Sequence, residues 1–147
     1  MNVVNSSAWL AYFADESTAD FFAEAIEGAE LLIVSSAFIY DVSKVFLREK
    51  GEDDAFLAIA AMQQGRMVDL DADLAIEAAA VGHEEKLALA DSIIYTICEK
   101  FNATLWTQDE HFSRMPRVQY MEKRKTDINM GSRNNLGIAG CQGRSNP

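Results

Sequence analysis

The sequence predicts an α/β fold with a central, mostly parallel sheet of about four or five short strands flanked by helices. Short, bounded apolar runs recur along the chain, within residues 2–5, 31–34, 67–70, 104–107 and 118–120. Longer stretches with apolar residues at helical spacing separate them. Strands that alternate with helices pair in parallel, and right-handed crossovers place the helices on both faces of the sheet.

Each element has its own local reason. Residues 2–5 (Asn-Val-Val-Asn) form a first strand and residues 6–13 continue as a helix. Ser17 caps a second helix, with Asp20 three residues on as a weak capping box. Phe21, Phe22, Ala25 and Ile26 give that helix its apolar face, and Gly28 ends it. Residues 31–34 are the second strand. Ser35 or Ser36 caps a long helix to about Lys50, where Gly51 breaks it. Asp53 or Asp54 caps the next helix, which runs to Gly65. A weaker strand follows at 67–70, then an Ala-rich helix at 74–81 and a polar loop at 82–86. A strong helix spans residues 87–101. Residues 104–107 are the fourth strand, 109–114 a short helical turn, and 118–120 the last strand after Pro116.

The chain has 147 residues. That length suits one domain and buries roughly 70% of the surface an unfolded chain exposes. The expected domain is 1–121. Residues 122–147 form a basic tail of charge +3, with five Lys/Arg against two acids. From residue 126 it is rich in Gly, Asn and Ser, and reads as disordered or vector-derived. The first 121 residues hold eight basic and 21 acidic side chains, a charge of −13. So acidic a body is no simple electrostatic binder of nucleic acid, and direct DNA binding is not expected. If it acts on a phosphodiester, a divalent cation must offset the carboxylates. No apolar run reaches membrane length, and the N-terminus lacks a signal peptide's basic and apolar regions. Cys98 and Cys141 are too far apart for a disulfide framework, so a cytoplasmic setting is expected.

Most acids sit in polar runs or at helix ends. Three do not. Asp41 lies in mid-helix within AFIYDVSKVF, on the face of Ala37, Phe38 and Val45. An unpaired carboxylate there costs several kcal/mol. Asp91 stands between LALA and SIIY, near a helix start. Asp109 directly follows the strand TLWT. Asp91 and Asp109 could each merely cap a helix, and Lys44 could pair with Asp41. Asn5 ends the first strand. Ligands collect outside the carboxyl ends of parallel strands, so these four oxygen-bearing side chains can share one crevice and suit a hard cation, Mg²⁺ or Mn²⁺. Thr107 and Ser6 or Ser7 are candidate supporting hydroxyls or phosphate contacts.

The pieces VNSSAWLAYF, IYDVSKVFLREKGE, LALADSIIYTICEKFNATLWTQDEHF and VQY resemble the PIN-domain ribonucleases, and more narrowly the VapC type of toxin in prokaryotic toxin–antitoxin modules. The resemblance covers residues 2 to about 121. Its most specific piece is the run from Leu87 to Phe112, with an acid opening a helix, an apolar strand and then Thr-x-Asp-x-x-Phe. It implies a Mg²⁺-dependent endoribonuclease acting on RNA in a prokaryotic cytoplasm. It also implies a homodimer whose groove is blocked by a cognate antitoxin. It places catalytic acids at Asp41, Asp91 and Asp109, metal ligands at Asp91, Asp109 and position 5, and the motif hydroxyl at Thr107.

Two departures stand out. Asp41 occupies a position where the family usually has Glu, keeping the charge on a shorter arm. Asn5 replaces the family's first Asp, which removes a charge and adds an NH₂ that cannot ligate. Weaker metal binding and slower chemistry follow, whether from deliberate inactivation, which the otherwise intact site favours, or from natural divergence. Arg48, Arg114 and Arg117 are candidate phosphate contacts. His83 and His111 read as structural or solvated, and Cys98 as core. Trp9 and Phe13 read as core in preference to a partner groove. The apolar helices between 36 and 64 are the expected dimer or antitoxin face. The main rival is a non-catalytic PIN-like module that binds a protein partner or RNA. A phosphoacceptor receiver domain lacks its paired acids after the first strand and its Lys after the fifth.

Overall fold

The computed structural model describes residues 1–124. Five short strands, β1 (Asn2–Val4), β2 (Leu32–Ser35), β3 (Arg66–Val68), β4 (Thr104–Thr107) and β5 (Val118–Tyr120), form one sheet. Its order is β3-β2-β1-β4-β5, and every pairing is parallel. Six helices connect them: α1 (Ser6–Phe13), α2 (Ala19–Glu27), α3 (Ser36–Glu49), α4 (Glu52–Met62), α5 (Ala72–Glu85) and α6 (Leu89–Phe101). The predicted α/β class and all five strands are present.

The order fixes where a crevice must open. From β1 the chain moves outward through β2 to β3, then returns across the sheet to β4 on the other side of β1. Right-handed crossovers therefore put the α1–α4 connections on one face and the α5–α6 connection on the other. The direction reverses between β1 and β4, and their carboxyl ends are where a doubly wound sheet binds its ligand.

The core is continuous. Val3, Val4, Ile33 and Leu105 of the central strands are fully buried, as are Trp9, Phe22, Phe38, Phe46, Ile94 and Ile97 of the helices. Trp9 and Phe13 stack at 5.6 Å, and Phe13 meets Phe46 edge-on, so both belong to the core as expected. Cys98 is buried there too, and burial pushes its thiol up to about 12. No helix among the described residues is long and apolar enough to cross a membrane.

Several boundaries differ from expectation. Helix α2 starts at Ala19 after Thr18, not at a Ser17 cap, and Thr18 instead bonds Gln108 across to the last loop (3.1 Å). Helix α4 begins at Glu52 behind Gly51, whose φ of 105° makes the break, so Asp53 and Asp54 lie in its first turn rather than capping it. It ends at Met62, before Gly65. Strand β3 lies one to two residues earlier than predicted. The expected loop at 82–86 is mostly helix: α5 runs from the Asp71 cap, which accepts from Leu74 N at 2.9 Å, to Glu85. The turn after β4 is a single 3-10 turn, Glu110–Phe112. The tail expected from residue 126 lies outside the described residues.

Candidate active site

Asn5 follows β1 directly and its backbone N–H donates to the Trp106 carbonyl of β4 (3.0 Å). Its side chain is thereby held in the switch-point crevice, 3% exposed. The Asn5 Nδ2 amide donates to Asp109 Oδ2 at 2.8 Å and to Thr107 Oγ1 at 3.2 Å. Its Oδ1 accepts from the Ser6 hydroxyl (3.3 Å). Thr107 ends β4, fully buried, and its Oγ1 accepts from the Asp109 backbone N–H at 3.0 Å. That bond fixes the turn that carries Asp109. Although Asp109 precedes the 3-10 turn, its side chain makes no cap bond there. The carboxylate goes into the crevice instead.

Asp91 arrives from the opposite face, in the first turn of α6. Its Oδ2 lies 2.7 Å from His111 Nε2. One donor atom from each of Asp91, Asp109 and His111 lies within 4.8 Å of the others. Burial raises the Asp109 pKa first, and the Asp91 charge raises it further, against lowering by His111, Asn5 and Ser7. A part-buried carboxylate facing a second carboxylate is the situation a bound cation relieves. Two carboxylates and an imidazole so close together are a chemically suitable donor set for a divalent ion.

Asp41 stands in the second turn of α3, part-buried beside a cavity of about 420 Å³. Ala37, Tyr40, Leu70, Leu89 and Ile93 also line that cavity. Burial raises the Asp41 pKa, Lys44 opposes this, and the Asp91 charge adds to it. Lys44 lies over the Tyr40 ring, 5.7 Å from its centroid.

Of the expected residues, the crevice therefore gathers Asn5, Asp91, Asp109, Thr107 and Ser6, with Asp41 at its margin. Two expectations change. Asn5 turns its NH₂, not its oxygen, toward Asp109. His111, expected to be structural or solvated, belongs to the cluster. The signal lay in its spacing, two residues past the strand-end Asp109. Two of the arginines sit elsewhere. Arg48 contacts Glu49 (3.4 Å) near the far end of α3. Arg117 precedes β5, at the amino edge of the sheet, where its carbonyl accepts from Leu105. Arg114 is exposed beyond the 3-10 turn.

A wholly parallel α/β sheet with acidic side chains gathered at its switch point places the chain among the doubly wound α/β proteins. The PIN domain family model matches residues 3–118, and the chain belongs to that family. No curated protein matches the chain at the level of sequence. Among solved structures, the fold is similar to a toxin–antitoxin complex from Klebsiella pneumoniae (TM-score 0.68, 18% identity, 81% of this chain and 96% of that one). It is also similar to VapC20 of Mycobacterium tuberculosis, a sarcin–ricin loop cleaving toxin (TM-score 0.64, 20% identity, 80% and 97%). A third is VapBC2 from Rickettsia felis, bound to a DNA fragment from its promoter (TM-score 0.63, 13% identity, 82% and 97%).

Proposed function

We propose that the chain is a metal-dependent endoribonuclease toxin of a prokaryotic toxin–antitoxin module, acting in the cytoplasm with activity reduced by Asn5. The convergence of Asp91 and Asp109 at the switch point, beside the position where the family carries a further acid, carries this reading. The fold's likeness to toxin–antitoxin proteins, one of them a sarcin–ricin loop cleaving toxin, supports it.

Asp91 and Asp109 would hold Mg²⁺ or Mn²⁺, and such an ion supplies an acidified water and charge stabilisation at the phosphate. Thr107 orients Asp109 through its backbone N–H. Asp41 would position the ion through a water or take the proton of the attacking water. The cavity beside Asp41 has the size and apolar walls to receive a nucleobase next to the scissile phosphate. Asn5 contributes no charge, and its NH₂ faces the carboxylate a cation needs.

Tyr40, Leu47, Phe56 and Leu57 stand more than half exposed on α3 and α4. So much exposed apolar surface on two packed helices supports a homodimer or antitoxin contact. DNA binding, as in the Rickettsia complex, is not assigned to this chain, whose body is acidic.

Cleavage of RNA with and without Mg²⁺ or Mn²⁺ tests the reading. Asn5→Asp is expected to cut at least about tenfold faster than the chain as it stands. Asp91→Ala is expected to be inactive in either background. If Asn5→Asp stays folded and cuts no RNA, the enzyme reading fails and a binding module replaces it.

A further inference from the structure

We propose that His111 is a nitrogen ligand of this site's cation and biases it toward a first-row transition ion, Mn²⁺, over Mg²⁺. The inference rests on the metal-site reading above and concerns which donor atoms the site uses. His111 Nε2 is already turned inward, 2.7 Å from Asp91 Oδ2 and grouped with an Asp109 oxygen. Its ring is held from behind. It lies against Phe112 at 4.6 Å between centroids, and Phe112 is itself fully buried beneath Tyr95. The imidazole is thus anchored on one side while about half of its side chain (52%) remains open to solvent.

Asn5 strengthens the case. Its Oδ1 is engaged by Ser6 and its amide nitrogen faces Asp109. The inward donor set is then two carboxylates and one imidazole, with no third charged oxygen. Mg²⁺ prefers oxygen ligands and surrenders water reluctantly. Imidazole nitrogen suits transition ions far better. Most sites bind Mn²⁺ more tightly than Mg²⁺, so the diagnostic quantity is the part of that preference that depends on His111.

The metal-stripped full chain would be titrated with Mn²⁺ and with Mg²⁺ by calorimetry, and the Mn²⁺-loaded chain examined by pulsed electron paramagnetic resonance. The loaded chain is expected to show ¹⁴N coupling from one imidazole, absent in His111→Ala. That variant is expected to lose about tenfold or more in Mn²⁺ affinity and less than about threefold in Mg²⁺ affinity. Absence of ¹⁴N coupling in the unaltered chain overturns the proposal, and so does an equal loss for both ions. The spectrum of the unaltered chain decides even if the variant does not fold. Asp91→Asn separates the levels. If neither ion binds, or binding ignores Asp91→Asn, the metal site itself fails. If ions bind through Asp91 without nitrogen coupling, only the assignment of His111 falls.

Discussion

Asn5 holds Asp109 with a hydrogen bond where a cation would hold it with charge. The bond lowers the cost of the part-buried carboxylate without removing it, since partial burial and Asp91 still keep the Asp109 pKa raised. A carboxyl whose folded pKa exceeds its unfolded one contributes stability that is full below the unfolded pKa and lost as pH rises through the folded one. Asp109→Asn can still accept from Asn5 but cannot ionise. In chelator, it is expected to unfold at a higher temperature than the parent at pH 7, with the gap closing as pH falls into the carboxylate range. A parent that is more stable at pH 7, measured by thermal unfolding across that range, would contradict this. Asn5, Asp91 and Asp109 were legible in the sequence because each polar side chain abuts an apolar strand or helix run. His111 was not. It is exposed, and its partner Asp91 lies twenty residues upstream, brought near only by the packing of α6 across the sheet.

At the level of elements, the sequence misleads most where glycine has a packing reason. Gly82 reads as a helix break, yet it sits inside α5, packed against Ser92 near the start of α6. A Cβ at residue 82 would collide with Ser92 Oγ and press on the Leu87 carbonyl. Ser92 cannot swing away freely, because its hydroxyl donates to the Leu87 and Ala88 carbonyls. The gain in helix propensity from Gly82→Ala, about 1 kcal/mol, is therefore outweighed by overpacking of about 1–3 kcal/mol. The variant is expected to be less stable in urea titration, and an equal or higher midpoint would count against the packing account. Gly51 is the contrasting case: its positive φ leaves a real break between α3 and α4, as the sequence suggested. The Ala-rich run that Asp71 opens has weak periodicity, so the sequence pattern marks the helix only from Leu74 and leaves the Asp71 cap unsignalled.

Across the whole molecule, charge and topology act together. The body carries −13, with 21 acidic side chains against eight basic ones. Pairs such as Lys100–Glu77 are exposed and offset little of that repulsion. Raising monovalent salt from low to near-physiological strength should therefore raise the unfolding temperature by screening self-repulsion. A flat or falling temperature would show that the ion pairs outweigh it. The α/β class, the strand set and the approximate position of the crevice followed from alternation of apolar runs. The strand order did not, because it is set by long-range pairing that leaves no local mark.

That order has a consequence in time. Strand β1 is made first, but its neighbour β4 lies about a hundred residues downstream, and Asn5 meets Thr107 across a separation of 102 residues. While the chain emerges from the ribosome, β1 can pair only with β2. The crevice has no second wall until β4 arrives and closes it, near the end of the described chain. The pocket is thus among the last features to exist, and a nascent polypeptide carries its acids apart until β4 is in place.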